Sequence, residues 1–203
     1  MTKNFQKELE NILNDLPNKV PKLLMHSCCA PCSSYCMEYL TKNFEITVLY
    51  YNPNINSEAE YNKRSNEQKR LVDEMPSVHP IHLIVLPYDN HNYNECIKGF
   101  EKEKEGGARC TACFNLRLDK TAQLAKAQNF DYFTTTLTIS PLKNASLINS
   151  IGYAIGNKYD VKWLPSDFKK LGGYKRSIEL SREYNLYRQN YCGCIYSKNN
   201  QNN

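Results

Sequence analysis

Residues 22–32 read KLLMHSCCAPC: an apolar run of strand length that ends on two adjacent cysteines, a proline and a third cysteine. Neighbouring side chains of a strand point to opposite faces. Cys28 and Cys29 are therefore ill-suited to the inside of a sheet and well suited to the loop just beyond one. Pro31 suits the first turn of a following helix, whose N-terminus favours the thiolate form of Cys29 or Cys32.

Working outward, runs of the same length and composition recur as ITVLYYN (46–52), IHLIVLP (81–87), YFTTTL (132–137) and VKWLP (161–165), each separated by enough chain for a helix. Near-continuous apolar strands are buried on both faces, which means a parallel sheet covered by helices. The expected fold is α/β, a mostly parallel five-stranded sheet with helices on both faces. Ahead of it, NFQKELENILNDL (4–16) carries Phe5, Leu9, Ile12, Leu13 and Leu16 on one helical stripe, which Pro17 ends. Ser57 and Glu60 have capping-box spacing before a long polar helix containing KRSNEQKR (63–70), read as a solvated surface. Residues 1–197 are read as one domain, and the polar tail 198–203 as disordered.

The 203 residues are 41 % hydrophobic and 23 % charged, the range of globular chains. Apolar runs of about six residues fall far short of the roughly twenty that span a bilayer, and MTKNFQKELE is too polar for a signal peptide. The expectation is a cytoplasmic protein without membrane contact. In a reducing compartment nine cysteines suit metal or redox work better than structural disulfides. A net charge of +5 mildly favours an anionic partner such as RNA, and some of the fifteen tyrosines are candidates for base stacking, the rest for packing.

Ligand crevices of open parallel sheets lie beyond the carboxyl ends of the strands. Four segments fall there: CCAPC, YNPNINSE (51–58), PYDNHNY (87–93) and TISPLKN (138–144). RCTAC (109–113) adds a CxxC after the glycines of EGGAR. Cys28, Cys29, Cys110 and Cys113, with Cys32 in reserve, form a tetrathiolate set that suits zinc or an iron–sulfur cluster. Directly adjacent cysteines do not make the usual zinc knuckle, which favours the cluster. Cys36 and Cys96 read as buried free thiols. Cys192 and Cys194, in CGC, can close only a small strained disulfide, easily reduced, so the pair suits electron storage. A metal site beside a two-electron thiol pair describes a reductase. A structural zinc protein that binds RNA and a metal-free thiol–disulfide oxidoreductase stay open as alternatives.

MHSCCAPCS, RCTACFNLRL, TTTLTISPLKN, DFKKLGGYKRS and YRQNYCGCIYS, in this order from about residue 22 to 197, resemble the QueH family of cobalamin-independent epoxyqueuosine reductases. The resemblance implies a Rossmann-like sheet of the adenine-nucleotide alpha-hydrolase type, with CCAPC in place of the phosphate loop and no ATP. It implies a 4Fe-4S cluster on Cys28, Cys29, Cys110 and Cys113, and a redox-active disulfide of Cys192 and Cys194. The implied reaction removes the epoxide oxygen of epoxyqueuosine at the wobble position of tRNA with a GUN anticodon, drawing on an external electron donor. An additional iron is a further option, with Cys32 as ligand; Asp89 and Asp167 are candidate oxygen ligands. His26, His91 and Tyr51 are candidate proton donors, His26 being at least as well explained as a core residue. Arg109, Arg117, Lys143 and KKLGGYKR (169–176) are the expected RNA contacts.

Overall fold

A computed structural model describes residues 3–199. Five strands, β1 (Lys22–Ser27), β2 (Glu45–Tyr50), β3 (Ile81–Val85), β4 (Tyr132–Thr135) and β5 (Lys162–Trp163), alternate with helices α1 (Phe5–Asn14), α2 (Ala30–Leu40), α3 (Glu58–Glu74), α4 (Asn90–Cys96), α5 (Ala108–Ala127), α6 (Ala145–Tyr159), α7 (Gly173–Glu183) and α8 (Ile195–Asn199). All strand pairs are parallel, in the order β3-β2-β1-β4-β5. The order reverses at β1, which pairs with β2 on one side and β4 on the other.

Period-two alternation sorts the core into two layers. Leu23 and Met25 of β1, with Ile46 and Val48 of β2, pack against Leu9 of α1, Met37 and Leu40 of α2 and Leu71 of α3. Leu24, Leu49 and Phe133 face the other way, onto Phe114, Leu118 and Ala122 of α5 and Ile148, Ile151 and Ile155 of α6. β3, at the edge, is only partly covered.

β4 ends earlier than its apolar run suggests. After Thr135 the chain turns into a 3-10 helix (Thr136–Ile139), because the Thr135 hydroxyl accepts from Leu137 N and offers the backbone an alternative to the ladder. Half of the capping box forms: Ser57 caps Glu60 N, while the Glu60 carboxylate turns to Arg64 and the Tyr187 hydroxyl. Lys198 and Asn199 belong to α8; the remainder of the polar tail lies outside the described residues. Among the described residues no helix is long and apolar enough to cross a membrane.

Candidate active site

The sheet order places the switch point between β1 and β4, above their carboxyl ends, where a ligand crevice is expected. CCAPC occupies that point. Cys29 is the N-cap of α2 in an extended conformation (φ −176°, ψ 161°), with Pro31 in the first turn. Lying beyond the strand, Cys28 and Cys29 are released from opposite-face geometry, and their sulfurs approach to 4.0 Å. Cys32, one helical turn on, completes a trio whose sulfurs all lie within 4.8 Å of one another. Two thiolates on one tetrahedral ion, at bonds of about 2.3 Å, stand about 3.8 Å apart, so the trio is close to a single-ion arrangement. The reserve ligand is thus a full member of the group, which includes neither Cys110 nor Cys113.

The trio shares its protons. Cys28 is held well below the usual thiol range by hydrogen bonds from Cys29 and Cys32. Cys29, donating to Cys28, is pushed up to about 12, and Cys32 rises for the same reason. The 3-10 helix after β4 contributes Thr136, whose Oγ1 accepts from Cys28 N at 3.2 Å.

Cys110 and Cys113 sit in the first turns of α5. The Cys110 sulfur accepts from Gly106 N (3.2 Å), a bond the turn at EGGAR makes available. Cys113 is buried in a small cluster with Tyr93, Ile97 and Cys194, against which Cys96 packs. Burial pushes Cys113 up to about 12, opposed by the charge of Arg117.

The C-terminal segment brings CGC over this rim as a strap. Asn54 Nδ2 donates to Cys192 O (3.2 Å) and Asn56 N to Gly193 O (3.3 Å), so the loop after β2 holds the pair by its backbone. Cys194 Sγ accepts from Ser197 N and shares a hydrogen bond with the Tyr93 hydroxyl. All nine cysteines are free thiols. The three cysteine motifs therefore meet at one end of the sheet, with Cys36 apart in the core, bonded to Cys32 O.

Several side chains lie elsewhere than the sequence suggests. Arg117 and Arg109, expected to touch RNA, are 0 % and 3 % exposed. Arg109 donates to the carbonyls of Glu101 and Glu103 and lies over the Tyr196 ring, bracing the loop before α5. Arg176 makes two hydrogen bonds through Nε and Nη2 to Glu38, tying α7 to α2, and Lys169 pairs with Asp167. Of the basic and aromatic side chains of KKLGGYKR this leaves Lys170, Tyr174 and Lys175 exposed. Lys143, half-buried, has its pKa lowered by burial but raised overall by its place beside the sulfurs of Cys192, Cys28 and Cys32, of which Cys28 is the one held low. The helix expected to be solvated turns Arg64, Ser65 and Gln68 inward, and Gln68 Oε1 accepts from Ser27 and Ser33 beside the thiols.

Of the proton-donor candidates, His26 is fully buried, bonded to Thr135 Oγ1 (2.8 Å) and Tyr51 O (3.1 Å), and burial with the nearby Arg117 charge lowers it to about 3. It is a neutral core residue. Tyr51 is buried and His91 exposed on α4. Asp89 is used as the N-cap of α4. Tyr93, Arg64 and Asn54 were not singled out by the sequence. The asparagine-rich loop YNPNIN at a strand end was the one available signal for Asn54.

The sequence model of the family described as Epoxyqueuosine reductase QueH matches residues 23–200. The chain belongs to the QueH family. It is 43 % identical over 200 residues to Epoxyqueuosine reductase QueH of Staphylococcus epidermidis, covering 96 % of this chain and 84 % of that protein. The QueH protein of Streptococcus pyogenes is 47 % identical over 179 residues (87 % and 70 % coverage), and that of Thermotoga maritima 35 % over 181 (86 % and 89 %). QueH membership makes the chain an oxidoreductase of the epoxyqueuosine reductase type, which favours this reading over both the RNA-binding zinc protein and the thiol–disulfide oxidoreductase left open by the cysteine pattern.

The thiols present fit a thiolate-held metal: a soft, all-thiol donor set at the switch point, with a fully buried arginine whose two terminal nitrogens find no acceptor among the described residues.

Proposed function

We propose that this chain reduces the epoxide of epoxyqueuosine at the wobble position of tRNA with a GUN anticodon. The observation that carries the reading is the meeting of all three cysteine motifs over one strand-end crevice: the trio at β1, Cys113 packed with Cys194, and CGC strapped across. Cys28, Cys29, Cys110 and Cys113 would hold a 4Fe-4S cluster, with Cys32 available to a further iron. Such a group supplies single-electron transfer and Lewis-acid polarisation of an oxygen leaving group.

The chain's own residues supply the rest. Removing the epoxide oxygen as water consumes two electrons and two protons. Oxidation of Cys192 and Cys194 from two thiols to one disulfide releases the same number of each, and an external donor then restores the thiols. Tyr93 holds the Cys194 sulfur, and Asn54 and Asn56 hold the loop that carries both. Lys143 adds positive charge beside the thiols, favouring the approach of a polyanionic substrate.

The test is iron, acid-labile sulfide and zinc per chain on anaerobically purified protein, beside Cys110→Ser/Cys113→Ser and a tRNA turnover assay. About four irons with matching sulfide, lost in the variant, are expected. Stoichiometric zinc after failed anaerobic reconstitution overturns the reading.

A further inference from the structure

Arg117 stands out among the buried residues. It is the largest side chain wholly withdrawn from solvent, and only its Nε is satisfied, by Cys113 O at 3.2 Å. Nη1 and Nη2 find no acceptor among the described residues. A buried guanidinium without a counter-charge carries a desolvation cost of several kcal/mol, and such groups are normally paired. Its surroundings name the missing partner. Arg117 lies one helical turn after Cys113, and the thiols of Cys113, Cys192 and Cys28 are the surrounding groups that turn negative when they give up their protons to a metal, which raises the guanidinium pKa against the opposing effect of burial. The carboxylates that pair other arginines, Glu60 with Arg64 and Glu38 with Arg176, have no counterpart at Arg117 among the described residues. The site builds a cation among sulfurs.

We propose that Arg117 is the counter-charge of the thiolate-held centre, its two terminal nitrogens donating to sulfur atoms of the group bound there and thereby stabilising the group's more negative states. This rests on the reading of the cysteines as ligands, not on which metal they take. Arg117 is on this account a positioning and tuning residue, reaching the substrate only through the group it holds.

Two variants separate charge from shape: Arg117→Met removes the charge, and Arg117→Lys keeps it without the fork. Cobalt(II) affinity of the metal-free chain, from chelator competition and thiolate-to-cobalt absorbance, is expected to fall on the order of ten- to a hundred-fold in Arg117→Met, the worth of one charge-assisted hydrogen bond. Arg117→Lys is expected to recover part of that loss. In the reconstituted chain the midpoint potential is expected to move to more negative values in Arg117→Met, because reduction then adds charge without a facing cation. Cobalt affinity within about two-fold of wild type together with an unmoved potential overturns the proposal. Should Arg117→Met fail to fold, the wild-type chain carries the test. Its Arg117 Nη–H signals, located by their loss in Arg117→Lys, should become separate and protected on zinc loading; signals that zinc leaves averaged overturn it. Cobalt binding is read without iron. A chain that builds no cluster yet loses cobalt affinity in Arg117→Met therefore keeps Arg117 in this role and removes the iron–sulfur reading alone.

Discussion

Gly193 separates the two strap cysteines at φ +113°, outside the regions open to residues with a side chain. Its replacement by alanine tests whether the strap positions the thiol pair. The backbone strain alone is worth about 1–3 kcal/mol. The added Cβ would stand 2.9 Å from Ile55 Cγ1, 3.2 Å from Asn54 Nδ2 and 3.4 Å from Arg64 Nη1. Asn54 Nδ2 is the donor to Cys192 O, so relieving the contact sacrifices a hydrogen bond of about 1 kcal/mol. The sum, about 2–4 kcal/mol, falls on docking of residues 186–199 and not on the sheet. The population of undocked strap then rises by roughly thirty- to several-hundred-fold. Hydrogen exchange at the Asn56 amide, which donates to Gly193 O, reads that population directly. Epoxide turnover should fall with it while iron and sulfide per chain stay constant, since the proposed cluster ligands lie outside the strap. Unchanged Asn56 protection in Gly193→Ala would refute the reasoning; so would loss of the cluster together with the strap.

Where the wild-type chain carries one iron more than sulfide, Cys32→Ser should remove that iron and leave sulfide unchanged, because Cys32 is the thiol available to a further ion; loss of all iron would make it a cluster ligand. His26 titrates near 3 folded against 6.5 unfolded, so the unfolded chain binds the extra proton and stability falls as pH drops from about 6.5 toward 3. Between pH 7 and 5 the loss is about 2 kcal/mol, read by denaturant midpoints, and His26→Gln should flatten the slope; an unflattened slope locates the titration elsewhere. Arg176→Gln should cost at most about 1 kcal/mol, since its pair with Glu38 is a third exposed, and leave the salt dependence of tRNA binding as it is. Lys170→Glu with Lys175→Glu should flatten that dependence, and the opposite pattern would return Arg176 to the interface.

The sheet was legible because each strand is a compact apolar run bounded by turn residues, and the parallel arrangement follows from burial on both faces. What local sequence could not show is which polar side chains turn inward. Arg117 and Arg64 read as surface by residue type, yet helical spacing held the clue: Arg117 is four residues after Cys113, and Gln68 four after Arg64, so each pair shares a face. The trio was half legible. Cys28 and Cys29 were assigned by position at the strand end, whereas Cys32 joins them because the helix begins at once and brings its first turn back over the loop. The seating of CGC on Asn54 and Asn56 spans about 138 residues and is set by no local signal, only by the way the chain closes on itself. Thr136 reads as strand from its β-branching, but the hydroxyl of Thr135 captured the Leu137 amide and turned the chain into a 3-10 helix.

The strap has a consequence for biogenesis. Synthesis runs from the N-terminus, so the segments that carry the thiol trio and CxxC leave the ribosome before residues 186–199. Until then the crevice is roofless. The thiols are then open from above to the metal group proposed for them, and the docking of Cys192 O on Asn54 closes the crevice over them. Order of translation thereby becomes order of assembly.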